Sequence, residues 1–194
     1  MKIAIIKYNA GNIQSVVFAL QGLGIDTVLT DNAEEIKSAD KVIFPGVGEA
    51  STTMECLKRT KLDEIIVSLK QPVLGICLGM QLLCKYSEEN ETKCLGIFEN
   101  KIKLFPPKQK VPHVGWNNIY NLKSPLFKGL TEESYVYFVH SFYAELNENS
   151  IASCEYILSF SAALHKNNFY AVQFHPEKSS KEGSLILKNF IELC

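Results

Sequence analysis

The sequence lacks an excess of charge of either sign. Its 194 residues include 20 lysines and arginines against 21 aspartates and glutamates, for a formal net charge of −1. Nucleic acids and anionic membranes are bound through stripes of basic side chains, and this balanced composition supplies none. We therefore expect neither a nucleic acid nor a membrane surface among the partners of the chain.

Long hydrophobic runs are also missing. No apolar run approaches the ~20 residues of a membrane-spanning helix, and residues 2–7 hold only four apolar residues between two lysines. Such a run is shorter than the apolar part of a secretory signal and predicts a short buried strand instead. We expect a cytoplasmic protein with one domain over residues 1–194, since a domain holds roughly 100–200 residues. We expect no second catalytic domain within these residues.

The six cysteines lack the spacing of a metal site. No two of them form a C-x-x-C pair, and no cysteine–histidine cluster has zinc-binding spacing. Disulfide frameworks are typical of short secreted chains, so disulfide bonds are not favoured here. Five of the cysteines are therefore expected to be small buried side chains. The sixth, Cys77, stands in a motif of a different kind.

Strand and helix patterns alternate through the first half. The periodicity predicts strands at 2–7, 25–30, 41–44 and 72–76, and helices at 13–23, 32–38, 51–59, 62–69 and 78–86. The second half predicts strands at 101–105, 117–122, 134–145, 151–157 and 169–174, followed by a helix at 180–193. Strands that alternate with helices form βαβ units. The predicted fold belongs to the α/β class. It is an open three-layer α/β/α sandwich whose mixed sheet has a parallel N-terminal half.

A nucleophile-elbow pattern follows the predicted strand 72–76. Residues 75–79 read Gly-Ile-Cys-Leu-Gly, with cysteine in the position that serine usually occupies. In this motif a sharp strand-to-helix turn exposes the nucleophile above the sheet, and the N-terminus of the next helix favours a thiolate. We predict Cys77 as a nucleophile and the N–H of Leu78 as a donor to an oxyanion. The alternative is a buried structural cysteine.

A thiol nucleophile needs a neighbouring imidazole. Of the four histidines, His175 ends the apolar run 169–174 and precedes Pro176 and Glu177. Residues i and i+2 of an extended chain point to the same face, and proline favours extended backbone in the residue before it. We predict His175 as the base and Glu177 as the group that orients it, with a surface pair as the alternative. Of the other three histidines, His140 is expected to be a packing residue, His113 a loop residue and His165 an exposed turn residue.

A glycine loop, Pro-Gly-Val-Gly at residues 45–48, follows the predicted strand 41–44. Its two glycines permit positive φ angles and let backbone N–H groups point into the cleft at the carboxyl ends of the strands. Such a loop can also cradle a phosphate. The chain lacks both glycine patterns typical of nucleotide binding, however. The loop is therefore interpreted as part of an oxyanion hole.

Together, these segments resemble the class I (triad) glutamine amidotransferases. The resemblance covers nearly the whole chain and rests on motifs that occur in the family's order: 45–48, 75–81, His-Ser-Phe-Tyr at 140–143, and 175–177. Further segments resemble the branch of the family that supplies ammonia for imidazole glycerol phosphate: Tyr-Asn-Ala-Gly-Asn-Ile at 8–13, Phe-Pro-Gly-Val-Gly at 44–48 and Val-Pro-His-Val-Gly-Trp-Asn at 111–117. Val114 departs from that branch, where methionine is common, by a conservative apolar change.

The resemblance implies hydrolysis of glutamine to glutamate and ammonia by a Cys77–His175–Glu177 triad. It implies no metal and no organic cofactor. The oxyanion is expected to be held by the N–H of Leu78 and, once the loop is correctly turned, by that of Val47. Four further positions are implied to hold the polar groups of glutamine: Gly48, Gln81, Ser141 and Phe142.

The resemblance also implies a partner. Ammonia released into water is protonated and lost, so a sheltered route to an acceptor enzyme is expected. In this branch the acceptor is a separate cyclase subunit with a (β/α)₈ barrel, which makes imidazole glycerol phosphate in histidine biosynthesis. Asn12, Trp116 and Lys178 match positions at or near the interface of that heterodimer. The alternatives are core packing for Trp116 and a solvated charge for Lys178.

Three other functions remain as alternatives. The chain could be the glutaminase subunit of a different synthase with the same fold, which the identity of the activating acceptor protein would reveal. It could be a non-catalytic binding module, although the presence of all three triad residues argues against that. It could also be a thiol redox or stress protein, which predicts a peroxide-sensitive Cys77 and no turnover of glutamine.

Overall fold

The first half of the chain alternates strands and helices, as its periodicity predicts. The computed structural model describes residues 1–8 and 13–194. Asn12, predicted as an interface residue, lies outside these ranges. The strands are β1 (Ile3–Ile6), β2 (Thr27–Thr30), β3 (Lys41–Gly46) and β4 (Val73–Cys77). The helices are α1 (Ile13–Gly22), α2 (Ala33–Lys37), α3 (Ala50–Arg59), α4 (Leu62–Ser68) and α5 (Leu78–Leu83).

The second half consists mainly of strands. They are β5 (Cys84–Ser87), β6 (Thr92–Lys93), β7 (Phe98–Leu104), β8 (His113–Ile119), β9 (Ser134–His140), β10 (Phe142–Ala144), β11 (Ser150–Tyr156), β12 (Leu158–Lys166) and β13 (Phe169–Val172). The helix α6 (Ser180–Leu193) follows. Short 3₁₀ turns lie at Glu89–Glu91, Pro125–Phe127 and Pro176–Lys178. Within the described ranges, none of the helices combines the length and apolar character that crossing a bilayer requires.

Seven strands form the central sheet, in the order β11-β12-β13-β4-β3-β1-β2. All neighbours from β2 to β13 are parallel, whereas β12 and β11 add on as antiparallel strands. The predicted mixed sheet with a parallel N-terminal half is therefore confirmed. Because β3, β4 and β13 are adjacent and parallel, their carboxyl ends meet at one edge of the sheet. The glycine loop, the elbow and the segment of His175 all begin at that edge.

Side chains of the central strands alternate between two apolar layers. In β1, Ile3 and Ile5 belong to the layer that includes the buried faces of α1 and α6. Ala4 and Ile6 belong to the opposite layer, with α2, α3, α4 and α5. A strand covered on both faces has no polar side, which explains the continuous apolar run at the N-terminus. The arrangement confirms the predicted three-layer sandwich.

The prediction of a helix over 78–86 is wrong in its last turn. The helix α5 ends at Leu83, and Cys84 is extended at φ −72° and ψ 177°. The N–H groups of Leu95 and Ile97 donate to the carbonyls of Leu82 and Leu83, both at 2.9 Å. The returning chain therefore takes acceptors that a further helical turn would have used. The strand β5 that begins there belongs to an unpredicted four-stranded sheet, β10-β7-β5-β6.

The strand β12 was also missed. Its centre, residues 159–163, is Ser-Phe-Ser-Ala-Ala, which contains no β-branched residue. Pairing with β11 and β13 decides its structure instead. His165 consequently lies on this strand opposite Tyr170 and not in an exposed turn. His113 was expected in a loop, but it begins β8, opposite His140 of β9.

Candidate active site

A cavity of about 350 Å³ opens where β3, β4 and β13 end. Open α/β sheets bind ligands at this edge. The elbow, the glycine loop, the β9–β10 junction and the segment after β13 all contribute to its wall. The lining residues are Val47, Gly48, Cys77, Leu78, Gln81, Glu89, Pro112, Val139, His140, Ser141, Phe142, His175 and Lys178. The structure thus brings together most of the residues that the sequence singled out.

Cys77 occupies a strained turn between β4 and α5. Its backbone lies at φ 53° and ψ −108°, a left-handed φ that costs a non-glycine residue about 1–3 kcal/mol. The turn brings α5 against β3. A Cβ added to Gly79 would stand 2.0 Å from the carbonyl oxygen of Phe44, and one added to Gly46 would stand 2.6 Å from the nitrogen of Gly79. Only glycine permits this approach, which presents the Cys77 side chain to the cavity.

His175 and Glu177 form a buried pair. The Nδ1 of His175 donates to Oε1 of Glu177 at 2.8 Å, and the two side chains are 5% and 3% exposed. The 3₁₀ turn Pro176–Lys178 bends Glu177 back toward the ring. Ser179 braces the turn, because its hydroxyl donates to the carbonyl of His175 at 2.6 Å and accepts from the N–H of Tyr137 at 2.9 Å.

The environment of His175 favours its charged form. Burial alone would lower the pKa of His175, but hydrogen bonds with Cys77 and Glu177 raise it to about 10. With Nδ1 engaged by Glu177, Nε2 is the ring nitrogen left for the sulfur. Among the described residues, the other carboxylate oxygen of Glu177 has no hydrogen-bond partner. The carboxylate is thus positioned to hold the ring orientation and to stabilise an imidazolium.

Sequence reasoning missed Gln173, which contacts the sulfur of Cys77. Its Nε2 lies 3.7 Å from Sγ, and its Oε1 accepts from Nε2 of Gln81 at 3.0 Å. Gln81 also donates to the carbonyl of Phe142 at 3.2 Å. The signal was available in the sequence, because Gln173 stands two residues before His175 in an extended segment and so faces the same side.

Two buried histidines lie beside this amide pair. The predicted packing role of His140 agrees with its burial, but the residue also lines the cavity. Its Nδ1 lies 2.7 Å from the carbonyl of Phe142, and its Nε2 lies 3.0 Å from Nδ1 of His113. Burial lowers the pKa of His113 to about 4 and that of His140 to about 3, so both rings are neutral at pH 7.

Glu89 is a second residue that sequence reasoning missed. It is half-buried at the cavity wall, and its Oε2 accepts from the backbone N–H of Ala50 at 2.8 Å. Burial raises the pKa of Glu89, while the hydrogen bond from Ala50 opposes this. The residue supplies a carboxylate directly at the wall of the cavity. It was overlooked because a helix that ran to residue 86 would carry the chain past the elbow before residue 89.

The glycine loop lies at the rim of the same cavity. Gly48 adopts φ +111°, the positive angle that the two glycines were expected to permit. The hydroxyl of Tyr8 donates to the carbonyl of Pro45 at 2.5 Å and so ties the base of the loop to the end of β1. Burial and the neighbouring Cys77 and Cys56 raise the pKa of Tyr8. The tyrosine is therefore neutral and acts as a hydrogen-bond donor.

Two of the predicted interface residues, Trp116 and Lys178, lie within the described ranges. Trp116 is 50% exposed on β8, so it does not pack in the core, and its ring meets that of Tyr137 at 5.9 Å. The outer face of the β8–β9 ribbon also exposes Val114 and Val139. Lys178 lines the cavity itself. A contiguous apolar patch of this kind is typical of a protein-binding surface.

Comparison with known proteins gives one consistent result. A family model described as glutamine amidotransferase class-I matches residues 4–193. The chain is 60% identical to the imidazole glycerol phosphate synthase subunit HisH of Bacteroides fragilis (strain YCH46), with 100% of both chains covered. It is 48% identical to the subunit of the same name from Pasteurella multocida (strain Pm70), over 98% of this chain and 97% of that one.

Solved structures share the fold. A glutamine amidotransferase crystal structure superposes with a TM-score of 0.77 at 18% identity, covering 98% of this chain and 97% of the other. The crystal structure of a glutamine amidotransferase from Thermotoga maritima gives a TM-score of 0.68 at 17% identity, over 99% of this chain and 81% of that one.

Proposed function

The chain belongs to the glutamine amidotransferase class-I family, and we propose that it hydrolyses glutamine at Cys77 as the glutaminase subunit of an imidazole glycerol phosphate synthase. The observation that carries the catalytic assignment is the cysteine elbow at φ 53° in a cavity shared with the buried His175–Glu177 pair. Residues 1–194 act as a single glutaminase domain. We place the enzyme in the cytoplasm, because all six cysteines, which lie in the described ranges, are free thiols.

The reaction begins with the thiol of Cys77. His175 accepts its proton at Nε2, and the thiolate attacks the carboxamide carbon of glutamine. Glu177 keeps Nδ1 of the ring protonated and stabilises the imidazolium. The developing oxyanion is held by the N–H of Leu78 at the start of α5 and, once docking of the partner has turned the glycine loop, by that of Val47. Donors fixed before the reaction cost no reorganisation when the charge forms.

Collapse of the tetrahedral intermediate releases ammonia. His175 returns its proton to the leaving nitrogen, and a γ-glutamyl thioester remains on Cys77. Water then attacks the thioester carbonyl with His175 as the base, and the second tetrahedral intermediate expels the thiolate as glutamate forms. The products are glutamate and ammonia. No step requires a metal ion or an organic cofactor.

The polar groups of the cavity suit the amino-acid end of glutamine. Both N–H groups of Gln81 are used within the protein, so only its Oε1 is left to accept from the substrate. Backbone groups of Gly48, Ser141 and Phe142 hold the remaining polar atoms. The carboxylate of Glu89 pairs with the α-ammonium group, because a buried cation needs an anionic or hydrogen-bonding partner.

Glu89→Gln is expected to raise the KM for glutamine by about 10- to 100-fold with little change in kcat. The substitution removes the negative charge but keeps an oxygen for the N–H of Ala50, and a charge-assisted hydrogen bond contributes about 1.5–3 kcal/mol. A loss of uniform binding raises KM and spares kcat. Steady-state glutaminase assays measure both.

The matched control is Glu88→Gln, an exposed neighbour whose Oε2 accepts from the N–H of Leu104 at 2.8 Å. Its KM for glutamine should equal that of the wild type. An unchanged KM in Glu89→Gln would remove this residue from the binding site.

The partner of this glutaminase is a cyclase, which we propose to be a (β/α)₈ barrel that forms a heterodimer with it. It docks on the ribbon face around Trp116 and beside Lys178, at the mouth of the cavity. Asn12, outside the described residues, is proposed for the same interface. Docking at this place encloses the site, so ammonia passes to the cyclase without entering bulk water, where it would be protonated.

The assembly is tested by adding the cyclase and its ribonucleotide ligand to the isolated chain. We expect glutaminase activity to rise on the order of 10²- to 10³-fold, the effect of gaining one oxyanion-hole donor. Trp116→Ala should reduce this stimulation, whereas Leu146→Ala, an exposed apolar change outside the ribbon, should not. High activity of the chain alone would contradict gating by the partner. Activation by a different synthase would favour the alternative that the chain serves another enzyme of the same fold.

A further inference from the structure

We propose that Gln173 is a further catalytic residue, whose side-chain amide donates a hydrogen bond to the sulfur of Cys77. The carbonyl of Phe142 orients this amide through Gln81. We call this hydrogen-bonded series, from the Phe142 carbonyl through Gln81 and Gln173 to the sulfur, the relay. The inference rests on the proposed role of Cys77 as the nucleophile. It concerns what stabilises the charge on the sulfur, a task for which the triad supplies only His175.

The orientation of the two amides follows from one acceptor. The carbonyl oxygen of Phe142 can only accept, so the atom of Gln81 that lies 3.2 Å away is Nε2. The second hydrogen of that nitrogen meets Oε1 of Gln173 at 3.0 Å. Gln173 must then direct its own Nε2 to Sγ of Cys77, at 3.7 Å. A flipped Gln173 would bring two N–H donors face to face and its oxygen onto the sulfur.

The acceptor at the start of this relay is itself fixed. Because Nδ1 of His140 faces the Phe142 carbonyl at 2.7 Å, Nδ1 carries the proton and Nε2 accepts from Nδ1 of His113 at 3.0 Å. His113 in turn accepts at Nε2 from Asn117, at 3.3 Å. Every bond runs toward the carbonyl, and both rings are neutral. No member of this series can reverse its polarity without bringing two donors or two acceptors face to face.

Burial makes the relay effective. Gln173 is completely buried and Gln81 is 5% exposed, so water cannot replace a lost partner. A hydrogen bond to a charged acceptor is stronger in such surroundings than in water. The sulfur also lies 3.8 Å from the carbonyl of Val139, which can accept a hydrogen bond but cannot donate one. The amide of Gln173, by contrast, is a donor aimed at the sulfur.

Titratable groups face this sulfur from several elements. They are Tyr8 after β1, Glu89 after β5, His140 of β9, and His175, Glu177 and Lys178 after β13. Replacing Gln173 leaves all of them in place. A change in the ionisation of Cys77 in such a variant therefore reports the amide donor.

The test is the pH dependence of Cys77 alkylation by iodoacetamide in Gln173→Met, followed by mass spectrometry of the peptide that contains Cys77. Methionine fills the volume without a donor. We expect the midpoint of the alkylation profile to move upward by about one pH unit, which corresponds to roughly tenfold slower alkylation at any pH below both midpoints. Loss of packing alone would change the rate without moving the midpoint.

Asn189→Leu is the matched control. Asn189 is a buried amide of α6 that donates to the carbonyls of Leu126 and Lys128, so its loss removes a similar pair of hydrogen bonds outside the cavity. The midpoint of the alkylation profile of Asn189→Leu should equal that of the wild type. If the midpoint of Gln173→Met also equals that of the wild type, the proposal is overturned.

If Gln173→Met does not fold, Gln81→Met decides in the same way, because it frees the amide of Gln173 to rotate. An upward shift supports the relay and an unchanged midpoint overturns it. Alkylation needs no turnover of glutamine, so the relay and the proposed glutaminase function are tested independently. Retained hydrolysis in Cys77→Ser would refute the proposed function, whereas an unmoved midpoint with that hydrolysis abolished refutes only the relay.

Discussion

Cys77→Ser is expected to lower the kcat/KM for glutamine by at least about 10³-fold, as removal of a catalytic nucleophile does in other hydrolases. Serine is nearly isosteric and should tolerate the turn, but its hydroxyl ionises far less readily than a thiol. The His175–Glu177 pair and the relay from Gln173 remain in place. Release of glutamate, measured with the cyclase and its ligand present, reports the loss.

Thermal unfolding of the same variant separates chemistry from folding. Its midpoint should lie close to that of the wild type, since the substitution changes a single atom at a largely buried site. Cys56→Ser is the control, because Cys56 is a half-buried cysteine of α3 that lies outside the cavity, and it should retain full activity. Substantial hydrolysis by Cys77→Ser would contradict the nucleophile assignment.

Gly79→Ala is expected to destabilise the fold by about 3 kcal/mol or more, at the upper end of overpacking effects. The added Cβ would stand 2.0 Å from the carbonyl oxygen of Phe44. That neighbour is backbone in the centre of the sheet and cannot rotate away, so β3 and α5 must separate. The separation also moves the glycine loop after β3 and the N–H of Leu78, and activity should fall together with stability.

Gly22→Ala provides the comparison. Gly22 is the last residue of α1, and a Cβ there meets no atom within 4 Å. Alanine has the higher helix propensity, so this variant should be as stable as the wild type or slightly more so. Denaturant unfolding of both variants measures the difference. Equal stability of Gly79→Ala and the wild type would show that the close approach of α5 to β3 is not required.

The parts of the site that sequence could predict are those encoded locally. The elbow is a contiguous motif after an apolar strand, and its glycines mark a close approach of two backbones. His175 and Glu177 are two residues apart, so extended geometry alone brings them together. The parallel half of the sheet follows from alternating periodicities. In each case the determining contacts lie within a few residues or within one βαβ unit.

The remainder depends on pairings between distant segments. The His113–His140 contact requires the register of β8 against β9, across 27 residues. Gln173 meets Gln81 only because β13 lies beside β4 in the sheet. The spacing of Gln173 from His175 indicates which side of the segment it faces, but nothing local reveals that its amide reaches the sulfur of Cys77 or that it meets Gln81.

The sequence did not predict Glu89 as a site residue for a different reason. Its place at the cavity follows from the early end of α5, which depends on the backbone of residues 95–97 taking the last carbonyls of the helix. Propensity favours helix to residue 86, and tertiary hydrogen bonds override it. The small-residue strand β12 shows the same override, since only pairing on both sides makes it a strand.

The most direct measurement is covalent labelling with a glutamine analogue that carries a diazoketone in place of the carboxamide, followed by peptide mass spectrometry. With the cyclase and its ligand present, we expect one label per chain, on Cys77, and glutaminase activity that falls in proportion to labelling. Inactivation with the label on any other residue would contradict Cys77 as the nucleophile. So would full glutaminase activity in a chain whose Cys77 is completely labelled.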